Sequence, residues 1–137
     1  MNHGIEQALK DSCDYFWVLN NDTQPEKNYL IASLDRFSQN SRIGIVGGKN
    51  LVTDRPNRIF WGGSHQAFPT GTHKAGYVSR GSLNKATQES WATFSSVIIR
   101  GETLTDCGLL DNKMRMIFSD SDYCFQAGLK GLSLIHI

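Results

Sequence analysis

Two unbroken apolar runs, Tyr15-Phe16-Trp17-Val18-Leu19 and Ile43-Gly44-Ile45-Val46-Gly47-Gly48, constrain this chain more than any other feature. Neither alternates apolar with polar residues, so each reads as a strand covered on both faces. Between them Leu30, Ile31, Leu34 and Phe37 supply the apolar face of a helix, and Pro25 and Glu26 suit its first turn. Strand, helix, strand in this order predicts a right-handed parallel crossover. The fold class expected is therefore α/β, with a mixed, mainly parallel central sheet.

The remaining stretches fit around that unit. Ile5, Ala8 and Leu9 share one face of a short opening helix. Entry directly on a helix leads us to expect that the start of the domain is missing. Residues 50–85 are rich in Gly, Pro and Ser, with short strand candidates at 51–53 and 58–61, which predicts loops and a small antiparallel ribbon. Residues 91–99 are strand-like again. Residues 101–107 could make two helical turns ended by a left-handed Gly108, and Ser119 could cap a helix from Asp120 to Lys130 that Gly131 stops. No repeat or linker divides the chain, which reads as one domain or part of one.

Composition narrows the function. In 137 residues the hydrophobic share is 39% and the charged share 20%, as in globular rather than disordered proteins. A formal net charge of +1, with basic residues scattered, gives no electrostatic case for nucleic acid. Cys13, Cys107 and Cys124 are odd in number and follow no metal or disulfide spacing, which reads as free thiols in a reducing compartment. No apolar run approaches the roughly 20 residues needed to cross a bilayer, and no secretory leader opens the chain, so the default is cytoplasmic. His65 and His73 have no partner at ligand spacing, and Gly47-Gly48 and Gly62-Gly63 lack the strand-to-helix context of a dinucleotide fingerprint.

Two acidic clusters carry the chemical interest. Asn20-Asn21-Asp22-Thr23 follows the first buried strand, where open parallel sheets place their functional crevice. A hard cation such as Mg²⁺ or Mn²⁺ needs only one or two protein carboxylates when a diphosphate supplies the other oxygens. Taken alone, the same tetrapeptide reads first as a turn and helix cap. Asp120 and Asp122 bracket Ser121 at a helix start, two apart and so on different faces. A carboxylate there can accept a proton from a sugar hydroxyl, although taken alone the pattern reads first as ordinary capping by Ser119 with acidic residues in the first turn. Trp61, Trp91, Phe60 and Phe94 could stack on a sugar ring, but such aromatics are more often core.

The order of these pieces resembles glycosyltransferase family 2, in its rhamnosyltransferase-like form. Asn2-His3-Gly4-Ile5 with Ala8-Leu9 looks like the helix before that family's metal-binding strand. Residues 16–23, Phe-Trp-Val-Leu-Asn-Asn-Asp-Thr, are similar to its strand and Asp-X-Asp-type segment, with only the last Asp retained. Ile43-Gly44-Ile45-Val46-Gly47-Gly48-Lys49 resembles the next core strand. Residues 94–102 resemble the acceptor-side segment, and Gly108-Leu109-Leu110-Asp111 the turn after its short helix. Phe118-Ser119-Asp120-Ser121-Asp122 stands where the family carries Glu-Asp-X-Asp. The match departs from the pattern in three ways. Two strands and a helix that usually precede are missing, Ser119 replaces the Glu and Gln126 stands where Arg is common, and residues 132–137 do not resemble the usual continuation.

The resemblance implies a partial GT-A fold truncated at its N-terminus. Residues 1–49 would end the nucleotide-binding half, with the metal motif, and residues 50–137 would form the acceptor-binding half. It implies a hexosyltransferase-type enzyme that moves a sugar, with inversion, from a nucleotide-sugar donor to a saccharide or lipid-linked acceptor in polysaccharide or glycolipid synthesis. Asp22 would bind Mg²⁺ or Mn²⁺, Asn20 and Asn21 would help hold the donor, Asp120 would be the base and Asp122 the second catalytic candidate. Trp91 and Ser95 would lie on the acceptor side. Peripheral association with the cytoplasmic face of a membrane is the setting it suggests. The alternative is a non-catalytic fragment that needs missing segments or a partner chain to bind nucleotide. A nucleotidyltransferase would carry a Gly-rich, Arg/Lys-bearing signature loop, which we do not find.

Overall fold

The computed structural model describes residues 1–61, 64–67, 72–75, 86–114 and 118–137. Its centre is a five-stranded sheet in the order β1-β8-β2-β9-β7, from β1 (Tyr15–Leu19), β8 (Ser96–Arg100), β2 (Ile43–Gly47), β9 (Ser133–His136) and β7 (Thr87–Glu89). Strands β3 (Asn50–Val52) and β4 (Arg55–Trp61) form an antiparallel ribbon, as predicted, and β5 (Ser64–Ala67) and β6 (Thr72–Ala75) a hairpin. His65 and His73 lie on that hairpin; Gly62, Gly63 and the Met116-Ile117 lead into the last helix lie outside the described residues.

The sheet is mixed but not mainly parallel. Among the described residues only β2 and β9 pair in parallel, while β1–β8, β2–β8 and β7–β9 are antiparallel. The expected crossover holds in direction, because β1 and β2 both run opposite to β8 and therefore alike. They are not neighbours: β8, from much later in the chain, is inserted between them. Strands from residues 1–49 and from residues 50–137 thus interleave in one sheet.

Strand β8 earns its central place by composition. Val97, Ile98 and Ile99 are fully buried, and alternation sends them to opposite faces. Val97 and Ile99 join Phe16, Ile45, Leu104, Tyr123 and Leu134 in the larger core, under helices α1 (Asn2–Lys10), α3 (Gly101–Cys107) and α4 (Ser119–Leu129). Ile98 joins Phe37, Ile43 and Val46 under helix α2 (Tyr29–Gln39). Each such side chain removed from water contributes about 2 kcal/mol.

Strand β2 is buried along its whole length, as its sequence predicts. The first run is different. Phe16 is buried, but Tyr15, Trp17 and Leu19 keep 36%, 38% and 42% of their surface, because β1 is an edge strand that α2 covers incompletely. Helix α2 starts at Tyr29 rather than Pro25, and its inward face is Tyr29, Ser33 and Phe37, one above another at four-residue steps. Tyr29 meets Trp17 at 5.5 Å between ring centroids and Phe37 meets Tyr15 at 4.9 Å, while Leu30 and Ile31 stay exposed.

At the amino ends of β1 and β2, Arg100 closes the sheet. Its guanidinium donates to the Ile43 and Phe37 carbonyls, at 3.0 and 2.9 Å, and lies over the Tyr15 and Phe37 rings. Gly108 ends α3 with φ +79°, at a ψ of −163° outside the helical left-handed region, and Gly131 follows α4 at φ +77°. All three cysteines are free thiols. No helix among the described residues is long and apolar enough to cross a membrane.

Candidate functional site at the carboxyl end of the sheet

The carboxyl ends of β1, β2 and β9 converge on the amino end of β8. The Asn20 N–H donates to the Ser95 carbonyl at 2.9 Å and the Gly48 N–H to the Ser96 carbonyl at 3.1 Å. Lys49 N–H donates to Ile137, whose own N–H returns to Gly47. The Tyr29 hydroxyl also donates to Ser96, at 3.1 Å, and the Trp17 indole N–H donates to the Ser96 hydroxyl at 3.2 Å. Burial raises the Tyr29 pKa, only partly offset by its bonds to Ser96 and Ser33, so the group remains a proton donor at neutral pH.

Asp22 projects from this end. Thr23 N–H bonds the Asn20 carbonyl at 3.2 Å, closing the predicted turn and leaving Asn20, Asn21 and Asp22 exposed at its tip. The turn does not cap α2, which begins seven positions after Asp22 with no side-chain cap. An open hollow lined by Gln24, Pro25, Glu26, Lys27 and Asn28 adjoins it.

Asp120 and Asp122 reach the same end by way of α4. That helix ends near the start of β9, which pairs with the start of β2, so its N-terminus lies toward the carboxyl ends of those strands. Eleven helical residues span ~16 Å, about the length of a five-residue strand. Tyr123 against Phe94, and the Cys124 thiol near the Ala92 carbonyl, tie the helix to the approach to β8. Ser119 is not the N-cap: Phe118, at φ +70°, takes that position and no side chain caps the helix. One orphan donor is met locally, by Asp120 accepting from the Ser121 N–H at 2.8 Å. Asp120 and Asp122 are both half-buried.

The residues expected on the acceptor side divide. Trp91 is half-buried and packs against the larger core. Phe94 is buried, whereas Phe60 is exposed. Ser95 belongs to a cluster that reading the sequence missed. Asn50 Nδ2 donates to Thr93 Oγ1 at 3.4 Å, Ser95 Oγ donates to Asn50 Oδ1 at 3.2 Å, and the two hydroxyls lie 3.0 Å apart. The signal was present as a period of two, with Ala92, Phe94 and Ser96 buried and Thr93 and Ser95 between them.

Among the described residues no hydrogen bond or ion pair joins Asp22 to Asp120 or Asp122, and no group of three or more His, Cys, Asp or Glu could hold a metal unaided. The Asp22 turn offers hard oxygen donors, one carboxylate and two amide carbonyls, which suit Mg²⁺ or Mn²⁺ when a diphosphate and water complete the shell. A cavity of about 300 Å³ lies elsewhere, between β7 and the C-terminal half of α4. Compared with known proteins, the chain matches no family model and no curated protein.

Proposed function

We propose that the chain is the catalytic-site portion of a GT-A-type glycosyltransferase, transferring a sugar from a nucleotide-sugar donor to a hydroxyl acceptor with inversion. The observation that carries this reading is the return of α4 to the end of the sheet bearing the Asp22 turn. The order of motifs resembling family 2 adds to it. Polysaccharide or glycolipid assembly at the cytoplasmic face of a membrane is the setting we assign.

In this reading Asp22 holds a divalent cation, with Asn20 and Asn21 shaping the turn around the donor. The cation, Mg²⁺ or Mn²⁺, supplies neutralisation of charge on the departing diphosphate. Asp120 accepts the proton of the acceptor hydroxyl as its oxygen bonds the anomeric carbon and the carbon–oxygen bond to the diphosphate breaks. Asp122 orders the acceptor and is the second candidate for the base. Trp91 and Ser95 lie on the acceptor side.

The test is a thermal titration followed by an assay. Mn²⁺ with UDP, GDP or dTDP should raise the melting temperature, and Asp22→Ala should abolish the rise. Asp120→Asn should lower turnover by about 10²-fold with donor binding intact. Unchanged turnover would remove Asp120 from the chemistry.

A second reading, a chain that needs a further segment or partner before it binds nucleotide, is favoured by the open edge of β1. Among the described residues nothing pairs with that edge, and Tyr15, Trp17 and Leu19 are exposed along it. The same titration separates the two readings. No stabilisation of the isolated chain, with Asp22 intact, favours the second.

A further inference from the structure

The Asn50, Thr93 and Ser95 side chains close a ring whose hydrogen-bond directions are determined. Ser95 has one hydroxyl hydrogen, and it goes to Asn50 Oδ1. At the 3.0 Å contact between the two hydroxyls Thr93 must therefore be the donor, and Thr93 in turn accepts from Asn50 Nδ2. Both hydroxyl hydrogens are thus spent inside the ring. What remains is one Nδ2–H of Asn50 and a lone pair on each of the three oxygens. All three residues are half-buried rather than sealed in the core. Their position is also fixed relative to Asp22, because the Ser95 carbonyl receives the Asn20 N–H at the base of that turn.

This surplus of acceptors selects a ligand class. Phosphates and carboxylates bring acceptors and need several donors, of which the ring offers one. A neutral polyol brings a donor and an acceptor with every hydroxyl, and adjacent hydroxyls could engage two ring oxygens together. We infer that the Asn50–Thr93–Ser95 ring is a subsite for the hydroxyl groups of a neutral sugar, and, resting on the transferase reading above, that this sugar is the acceptor.

The experiment follows the Asn50 side-chain amide by ¹H–¹⁵N NMR while methyl glycosides of glucose, galactose and rhamnose are added separately, with acetate and inorganic phosphate as anions. Saturable shifts with at least one glycoside and none with either anion are expected. Thr93→Val, which keeps shape but removes the ring donor, and Ser95→Ala should each weaken glycoside binding by about 10-fold or more. The same variants should keep the Asp22-dependent stabilisation by Mn²⁺ and nucleotide. If no glycoside moves the Asn50 signal, or if both variants bind like the parent, the subsite is wrong whether or not the nucleotide effect is present. If the glycoside shifts appear and the variants lose them while the parent shows no nucleotide effect, the subsite stands and the transferase reading falls.

Discussion

The two ends of the central sheet use their polar groups differently. At the amino end of β2, Arg100 donates to the Ile43 and Phe37 carbonyls, Thr103 Oγ1 donates to the Gly44 carbonyl, and the Ser133 N–H donates to Arg42. Those groups are committed to holding strands and helices together. At the other end Asp22 stands exposed at a turn, Asp120 accepts from its own neighbour, and the ring of Asn50, Thr93 and Ser95 keeps spare acceptors. Polar chemistry left over after folding is what a ligand can use, which is why the proposed site is put at the second end.

The sharpest way to break that comparison is at Arg100. Replacement by Ala removes two charge-assisted bonds to backbone carbonyls and the cation–ring contacts with Tyr15 and Phe37. We expect a loss of about 4 kcal/mol in urea denaturation, from two charged hydrogen bonds and a modest ring term. A loss below ~1 kcal/mol would mean that the amino end is no more committed to the fold than the other.

His136 sharpens it differently, since it is a polar group at the carboxyl end that solvent does not reach. It is fully buried on β9, and its pKa is lowered to about 4, first by burial and then by the charge of Lys49. The ordinary value is about 6.5, so the unfolded chain binds the extra proton between those two values. Stability contributed by the neutral imidazole is therefore fully present above about pH 6.5 and lost as pH falls toward 4. The full span corresponds to about 3 kcal/mol. His136→Phe should remove that part of the slope between pH 7 and pH 4.5; an identical slope in the variant would place the titration elsewhere.

How far the sequence made these ends legible depends on whether the decisive contact is local. The turn at 20–23 was readable because Asn and Asp favour it within four residues, and β2 because an unbroken apolar run needs cover on both faces. The same logic failed for β1. Its composition is as apolar, but nothing within it reveals an edge position, and Trp17 and Tyr15 find their partners on α2 instead. Insertion of β8 between β1 and β2 was invisible for a related reason: the pairing of Phe16 with Ile99 spans most of the chain. Ser119 was a reasonable N-cap by type, yet the backbone reverses at Phe118. Of the candidate site, the acidic residues and Ser95 were proposed from their order along the chain, whereas Asn50 entered only through folding of β3 beside Thr93.

The smallest expected effect is also the most discriminating. Asp22→Ala should change folding stability by less than about 0.5 kcal/mol, as exposed substitutions outside any tertiary network do, and Asp120→Asn by less than about 1 kcal/mol, the worth of one charge at a helix N-terminus. Asp22 is exposed and beyond the strand, and its turn closes through the Asn20 backbone rather than through its carboxylate. Asp120 accepts from the Ser121 N–H, and an Asn amide oxygen can still accept that bond, without the charge. What Asp120→Asn removes is a negative charge, worth at most about 1 kcal/mol to the helix N-terminus, and the basicity that proton transfer requires. A destabilisation above ~2 kcal/mol by equilibrium unfolding would show the carboxylate itself to be structural, and the carboxyl end would then resemble the end held by Arg100. Near-neutral stability together with a large loss of transfer activity would separate the two ends by function.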